Sequence, residues 1–383
     1  MDLRFDVLVL GGGIAGSAAA LAAAGRGRRV AVVHAAPGVT ALAAGGWSGP
    51  LPEGLGAALE RAGLPYAPAG APLPHPTGRV DRYDRAAPAQ RAAAPLAGAL
   101  ICGIVGLPGF RAAALARVWG AGAGAPAGAV VLEAGRVPPG GWSPASLAAL
   151  LEREPGRLAD ALADAVRRSG ATRAVFPAVL GIEGADGVRA ALASAAGVPV
   201  GEALGVPPSV PGWRLERALD AALRAAGVER VRGRVVDRQV DGRRVRAVLV
   251  RPPAAQGTDP MRIEADAFVL ATGKYLAGGI RAGARFEEPA LGCPVRVDHV
   301  GATFEIPDPL ALTHAERSAD QPLLRAGVRT DDAARPIGGG GDVVYENVRI
   351  AGSVRAGWDA AAPGLGHAAA DGWRAGERAA GEA

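Results

Sequence analysis

A glycine-rich turn near the start of the chain constrains the fold more than any other feature. Residues 11–16 read GGGIAG and fit the pattern G-x-G-x-x-G. A Val- and Leu-rich run over Phe5–Leu10 precedes the turn, and an Ala-rich stretch over Ser17–Ala24 follows it. Continuous apolar runs are typical of buried parallel strands, and Arg29–Val33 has the same character. The pattern predicts a βαβ unit of about 30 residues that opens a Rossmann-like α/β domain with a parallel sheet.

Three glycines of this turn have separate roles in a dinucleotide-binding fold. Gly11 permits the tight turn, Gly13 lets backbone N–H groups approach a pyrophosphate, and Gly16 lets helix and strand pack closely. The positive end of the helix dipole adds attraction for a phosphate. A turn without a ligand is the alternative in a chain with 57 Gly residues. The position of the glycine-rich turn between a strand and a helix favours a nucleotide-type cofactor.

The residue after the second predicted strand departs from the usual pattern. An Asp or Glu at this position accepts hydrogen bonds from the ribose hydroxyls of adenosine, whereas this sequence has His34. A neutral imidazole can accept one such bond. Unlike a carboxylate, it cannot accept from both hydroxyls and carries no negative charge. The departure favours FMN, which lacks adenosine, over FAD or NAD.

Two further segments hold candidate cofactor-binding residues. In the sequence TALAAGGWSG, Gly45 and Gly46 would let a loop pass close to a flat ring system, and a plain Gly-rich loop is the alternative. A later buried strand ends in Thr272-Gly273, followed by Lys274, the sole lysine of the chain. A compact ammonium suits a phosphate or a flavin carbonyl. An ordinary exposed lysine is the alternative.

The C-terminal region repeats the strand, loop and helix pattern. A short strand ends in Gly352-Ser353, and a glycine-broken loop leads to an Ala-rich helix from about His367. Backbone N–H groups there would face a flavin, and the helix dipole would stabilise the anionic reduced ring. His367 is the candidate catalytic proton donor or acceptor, with a capping His as the alternative. The loop residues predicted to bind the cofactor are Gly364 and Gly366.

We expect one discontinuous domain and one insertion. Residues 1–98 and 212–383 form the predicted flavin-binding domain, whose β-meander includes a hairpin at Asp241-Gly242. Residues 99–211 form the predicted inserted α/β segment, for substrate or subunit contact.

Composition excludes several function classes. The net charge of +5 comes almost entirely from scattered Arg residues, which argues against nucleic-acid binding. The two cysteines, Cys102 and Cys293, are far apart, so no metal site or iron–sulfur cluster is predicted. The sequence predicts neither a signal peptide nor a membrane-spanning stretch. We expect a cytoplasmic protein with only peripheral membrane contact.

Four segments together resemble the B-type flavoprotein subunit of the anaerobic glycerol-3-phosphate dehydrogenase complex. They occur in the same order along most of the chain, and GVPPSVPG is the most distinctive piece because other flavoproteins do not need it. The segments are FDVLVLGGGIAGSAAALA, GVPPSVPGWRLERAL, FVLATGKYLAGGI, and GVRTDDAARP with ENVRIAGSV.

This resemblance implies a flavoprotein with FMN as its cofactor and FAD as the alternative. It also implies two partners, a catalytic FAD subunit and an iron–sulfur, membrane-anchoring subunit at the inner face of the cell membrane. Such a complex oxidises sn-glycerol 3-phosphate to dihydroxyacetone phosphate and passes electrons to quinone. The residues leave open whether hydride arrives from glycerol 3-phosphate or electrons arrive from a partner. Two rivals stay open: a stand-alone FAD oxidoreductase of the fumarate reductase type, and a cofactor-free assembly subunit.

Overall fold

The computed structural model describes residues 3–123, 125–126, 128–253, 259–282, 286–297, 312–316, 319, 321–358 and 364–383. Its helices are α1 (Ile14–Ala24), α2 (Glu53–Arg61), α3 (Pro88–Ala92), α4 (Ala112–Ala123), α5 (Pro144–Arg153), α6 (Ala159–Ser169), α7 (Ala185–Ala196), α8 (Val210–Ala225) and α9 (Leu365–Glu382). Short 3-10 helices cover Val39–Leu42, Pro322–Arg325 and Gly352–Val354.

The strands are short except in the main sheet. In chain order they are β1 (Leu3–Leu10), β2 (Val30–His34), β3 (Gly46–Trp47), β4 (Ala67–Pro68), β5 (Leu73–Pro74), β6 (Val80–Asp81), β7 (Arg85–Ala86), β8 (Ala99–Ile104), β9 (Gly128–Leu132), β10 (Arg173–Phe176), β11 (Val200–Glu202), β12 (Glu229–Arg232), β13 (Arg234–Asp241), β14 (Arg244–Arg251), β15 (Met261–Leu270), β16 (Arg281–Ala282), β17 (Phe286–Glu287), β18 (Val295–Val297), β19 (Ala326–Val328) and β20 (Val348–Ile350).

The first of two compact units contains the chain start and the chain end. It comprises Met1–Val39, Gly49–Ala58 and Leu219–Ala383. Its seven-stranded sheet has the order β12-β2-β1-β15-β14-β13, with β20 also paired to β15. Strands β12, β2, β1, β15 and β20 pair in parallel, whereas β13, β14 and β15 form an antiparallel meander. The predicted Rossmann-like sheet with a β-meander is therefore confirmed.

The buried run of β1 explains why this sheet forms. Val7, Leu8, Val9 and Leu10 are all at most 1% exposed. Leu8 and Leu10 enter an apolar cluster on one face of the sheet, and Val9 lies beside Gly16 of α1. Helix α9 packs beside α1 at very short range. A Cβ at Gly372 would lie 2.0 Å from the Ala15 carbonyl oxygen. Both helices therefore need glycine or alanine along their shared face.

The second unit comprises Thr40–Ser48 and Leu59–Ala218. Its four-stranded parallel sheet has the order β11-β10-β8-β9. Alternate residues of β8 enter different apolar clusters, Leu100 and Cys102 on one face and Ala99 and Ile101 on the other. Burial on both faces explains the continuous apolar sequence of this strand.

The compact units divide the chain differently from the predicted domains. Residues 40–48 and 59–98 group with the second unit, although we predicted them in the flavin-binding domain. The second unit also extends to Ala218 rather than ending at 211. The assignment of substrate or subunit contact to the inserted segment stays a prediction. Within the described ranges, no helix is both long enough and apolar enough to cross a bilayer.

Candidate functional site

The glycine-rich turn connects β1 to α1 at the carboxyl edge of the parallel strands. The Gly11 N–H donates to the Val33 carbonyl at 2.8 Å, and Gly11 has a φ of +117°, which disfavours any side chain. A Cβ at Gly11 would lie 2.2 Å from the Ala271 carbonyl oxygen. A Cβ at Gly16 would lie 1.8 Å from the Gly11 carbonyl oxygen. Gly11 and Gly16 are therefore required by the close approach of backbone segments.

Gly13 is the N-cap of α1. Its φ of −76° and ψ of −174° are open to any residue, so the backbone does not demand glycine there. Within the described residues, no side-chain hydrogen bond caps this helix at Gly13. A helix start of this kind attracts an anion, because its first N–H groups and its dipole both favour negative charge. The turn fits a phosphate or pyrophosphate.

The ends of β15 and β20 lie beside this turn. The Ala271 N–H donates to the Leu10 carbonyl at 2.8 Å, which fixes the chain leaving β15 against β1. Gly273 has a φ of +76°, and a Cβ there would lie 3.8 Å from Ser353 Oγ. The buried hydroxyl of Thr272 has no hydrogen-bond partner within the described part of the protein. A buried hydroxyl of this kind calls for a partner from outside the chain, which fits a bound cofactor.

Gly352 connects this edge to the two helices. It has a φ of +72°, and a Cβ at this position would lie 2.7 Å from the Ala15 side chain. Its N–H donates to the buried Asp371 carboxylate at 2.8 Å, and Arg355 donates to the other carboxylate oxygen. Asp371 was not identified from the sequence. A single acidic residue within the small-residue stretch AAADG of the last helix is the signal that would have indicated it.

The start of α9 lies at the same edge as the start of α1. Glycines 372 and 376 contact Ala15 and Ala19 respectively, so the two helices run in the same direction. Gly364 is the N-cap of α9 and Gly366 is buried in its first turn. His367 also lies in this turn. A Cβ at Gly49 would be 2.7 Å from His367 Nδ1, so the imidazole packs on the backbone at Gly49.

His34 lies at the end of β2, next to the glycine turn. Its Nε2 is 3.0 Å from Nη2 of Arg230, and Arg230 also forms an ion pair with Asp220. Burial lowers the pKa of His34, and the charges of Arg230 and Arg232 lower it further. The imidazole is therefore neutral at pH 7. Arg230 was not identified from the sequence, and no local signal marked it.

Lys274 lies in a buried environment and contacts backbone carbonyls. It is 6% exposed, so it is not a surface lysine. Its ammonium donates to the Leu324 carbonyl and, at 3.2 Å, to the Trp358 carbonyl. The side chain thus holds two backbone segments together through these carbonyls. Contact between Lys274 and a cofactor stays a prediction.

Gly45 and Gly46 belong to the second unit, where packing explains both. A Cβ at Gly45 would lie 2.7 Å from the Gln90 side chain, and one at Gly46 would lie 2.4 Å from the Tyr83 ring. The segment GVPPSVPG packs beside the same stretch, since the Gly205 N–H donates to the Ala44 carbonyl at 2.8 Å. The alternative of a loop whose glycines serve the protein's own packing therefore matches these contacts.

Metal ligands are not grouped in the described residues. There, no three His, Cys, Asp or Glu side chains are close enough together to hold a metal ion. Both cysteines are buried, and burial raises the pKa of each thiol.

Comparison with known proteins identifies the type of domain. The family model described as FAD binding domain matches residues 6–92 and 125–368. This match supports a flavin cofactor and does not support FMN as the first choice.

Curated relatives match about half of the chain. The probable B-type subunit of the anaerobic glycerol-3-phosphate dehydrogenase of Halobacterium salinarum is 38% identical over 228 residues, covering 58% of this chain and 49% of that protein. The B-type subunit of the anaerobic glycerol-3-phosphate dehydrogenase of Yersinia enterocolitica is 30% identical over 211 residues, covering 54% and 46%. The chain thus spans about half the length of the curated relatives that it matches.

Among solved structures, a 3-ketosteroid delta1-dehydrogenase from Sterolibacterium denitrificans aligns over 99% of both chains, with a TM-score of 0.42 and 13% identity.

Proposed function

The chain belongs to the FAD binding domain family and is a flavoprotein oxidoreductase, and on this premise we propose that it holds FAD at the carboxyl edge of β1, β15 and β20. The observation that carries the proposal is the start of α1. There the glycine turn is fixed by backbone contacts at Gly11 and Gly16, and no described side chain caps the helix at Gly13.

The residues present fit this cofactor in three places. The first N–H groups of α1 would bind the pyrophosphate. Thr272 would donate its buried hydroxyl to the cofactor. The start of α9 would direct its dipole at the flavin, with Gly352 held in place by Asp371.

The bound flavin supplies two-electron redox chemistry. The contribution of the chain is to bind the pyrophosphate, exclude water from the sheet edge and supply positive potential where the reduced ring is negative. His367, in the first turn of α9, is the side chain that we assign to hold or move a proton.

We propose that the substrate is sn-glycerol 3-phosphate, oxidised to dihydroxyacetone phosphate within a membrane-associated complex that reduces quinone. The names of the curated relatives support this proposal, as does their description as one subunit, which implies further subunits. The proposed partners are a catalytic FAD subunit and an iron–sulfur subunit, which would hold the chain at the inner face of the cell membrane.

Gly13 provides a test that separates cofactor binding from folding. Asp is a favoured N-cap residue, so Gly13→Asp should leave the stability of the cofactor-free protein within a few tenths of a kcal/mol of wild type, or raise it. The same carboxylate would repel a bound phosphate, so flavin retention should be lost. Gly13→Asn is the matched control, because it has nearly the same shape and no charge.

The measurement is the visible spectrum of each purified protein, followed by mass analysis of the flavin released on denaturation. We expect FAD in wild type, little or none in Gly13→Asp, and an intermediate amount in Gly13→Asn. Equal flavin content in all three proteins would refute binding at this turn. A wild-type protein that stays colourless when supplied with FAD and its partners would instead favour an assembly subunit.

The substrate requires a second experiment. Glycerol 3-phosphate is added anaerobically to the chain alone and to the chain co-purified with its partner subunits, and flavin bleaching is followed. Bleaching of the chain alone places substrate oxidation here. Bleaching only with the partners indicates that the substrate is oxidised in another subunit, whose own FAD contributes to the signal, and no bleaching in either sample would exclude this substrate.

A further inference from the structure

The position that normally recognises the adenosine ribose is occupied here by a linked group of three side chains. In dinucleotide-binding folds an acidic residue at the end of the second strand accepts hydrogen bonds from the ribose. His34 stands at this position, at the end of β2. Arg230 of the adjacent strand β12 contacts it, and Asp220 of α8 pairs with the same guanidinium.

The guanidinium of Arg230 lies over the glycine turn. A Cβ at Gly12 would be 3.9 Å from Nη2 of Arg230 and 3.0 Å from Cβ of His34. Arg230 is partly buried, with 25% of its side chain exposed. A ligand that occupied the turn and extended toward the end of β2 would therefore meet a cation rather than a carboxylate.

The direction of the bond between His34 and Arg230 follows from their chemistry. A guanidinium only donates hydrogen bonds, so Nε2 of His34 must accept, and the imidazole is neutral with its proton on Nδ1. Because Nε2 of His34 accepts this hydrogen bond, His34 orients the Arg230 guanidinium, and Arg230 is the residue that would contact a ligand. A guanidinium has five N–H donors in a planar fork, so one guanidinium can hold several partners at once, a ligand among them.

We infer that Arg230 contacts the adenosine ribose of the bound FAD, with its N–H groups donating to the hydroxyl oxygens, and that His34 and Asp220 are the positioning residues that aim it. The inference rests on the proposed function, since it concerns how the same cofactor is recognised. It reverses the usual polarity of this contact: the protein donates and the ribose accepts. It also explains how a chain without an acidic residue after β2 can select a cofactor with an adenosine half.

FMN makes the test selective, because it shares the flavin and a phosphate with FAD but lacks adenosine. Dissociation constants for both flavins are measured with the full chain of wild type, Arg230→Met and the control Arg234→Met. Arg234 is an exposed arginine on β13, so its loss changes the net charge equally. We expect Arg230→Met to weaken FAD roughly 10- to 100-fold, the loss expected for hydrogen bonds from a charged donor, with FMN changed less than about twofold. Arg234→Met should leave both affinities unchanged.

A pH titration gives a second readout that does not depend on removing Arg230. The charged groups that face His34 are Arg230 and Arg232 of β12, and Asp220 of α8 lies behind Arg230. Protonation of the imidazole removes the acceptor that aims Arg230 and adds a like charge. The ratio of FAD to FMN affinity should therefore fall as the pH is lowered below about 6.5, the ordinary His pKa, and His34→Gln should flatten this dependence.

The outcomes distinguish this inference from the proposed function. Equal losses of FAD and FMN affinity in Arg230→Met, or no loss of either, would overturn the role of Arg230 while leaving a flavin site in place. A wild-type protein that binds FMN as tightly as FAD would also overturn the role of Arg230. A wild-type protein that binds neither flavin would overturn both. If Arg230→Met fails to fold, Arg230→Lys keeps the charge but loses the fork, and a selective loss of FAD affinity in that variant supports the inference.

Discussion

The packing of α9 on α1 predicts opposite effects for one substitution made at two glycines of the same helix. A Cβ at Gly376 would lie 2.1 Å from the carbonyl oxygen of Ala19, whereas a Cβ at Gly381 meets nothing within 4 Å. Gly376→Ala and Gly381→Ala therefore change helix propensity in the same direction, but only the first inserts a methyl group between two helices.

The magnitude follows from the distance. Ordinary van der Waals contact begins at 3.4 Å, so the two backbones must separate by about 1.3 Å at Gly376 to admit the methyl group. Overpacking of a tightly packed contact typically costs about 1–3 kcal/mol. Replacing Gly by Ala in a helix interior raises the free energy of unfolding by roughly 0.5–1 kcal/mol. The difference is a net loss of about 0–2.5 kcal/mol. Because a shift of this size lies between two backbones, which cannot rotate away, we expect Gly376→Ala to lower the free energy of unfolding by about 1–2 kcal/mol, and Gly381→Ala to raise it by a few tenths.

Urea unfolding followed by tryptophan fluorescence measures both changes, and an unchanged slope with urea shows that the unfolding transition is comparable. Flavin affinity should fall with Gly376→Ala as well, because α1 cannot move without moving the glycine turn. A Gly376→Ala protein as stable as wild type, or more stable, would refute the close contact of the two helices and with it their shared direction toward the cofactor.

Three further predictions concern polar groups that are buried or half-buried. Arg214 binds Glu202 through both guanidinium Nη atoms, and both side chains are buried, so Arg214→Met should cost about 3–5 kcal/mol in urea unfolding. Adding Glu202→Gln should recover part of that loss. A much smaller loss of stability in Arg214→Met alone would contradict the pairing. Lys274 is the only lysine and is buried, so an amine reagent should label it only after unfolding, as read by mass; labelling of the folded protein would count against its carbonyl contacts. The pKa of His34 is lowered by burial and by Arg230, so the unfolded chain binds its proton more tightly. Its contribution to stability should be complete above about pH 6.5 and be lost as the pH falls, and the stability of His34→Gln relative to wild type should rise in acid; a constant difference would refute a neutral His34.

Much of the fold could be predicted because its signals are local. The turn between β1 and α1 is specified by glycines within six residues, and the hairpin at Asp241-Gly242 by two. Burial on both faces makes a parallel strand a continuous apolar run, which is visible in β1 and β8 without any knowledge of their neighbours. For the same reason Thr272-Gly273 and Gly352-Ser353, which follow such strands, were found from sequence.

The boundaries of the two compact units differ from those of the domains that the sequence predicted. The predicted boundary between residues 211 and 212 falls inside helix α8, which runs from Val210 to Ala225. The residues between 59 and 98 contain little regular structure, so no pattern in them indicated that they pack with the second unit. Which unit a loop joins depends on contacts with distant residues, and no local pattern records them.

The sequence by itself determined the βαβ start and the strand ends that form the candidate cofactor edge, since both are marked by residues that are neighbours along the chain. The same short segments indicated the flavin family. The tertiary structure alone decided what the polar side chains at that edge do. His34 meets Arg230 across 196 residues of chain, and Lys274 meets the Trp358 carbonyl across 84. Hydrogen bonds and ion pairs act over a few ångströms in space, whereas the sequence orders residues only along the chain, so these partners became visible only once the strands were placed side by side.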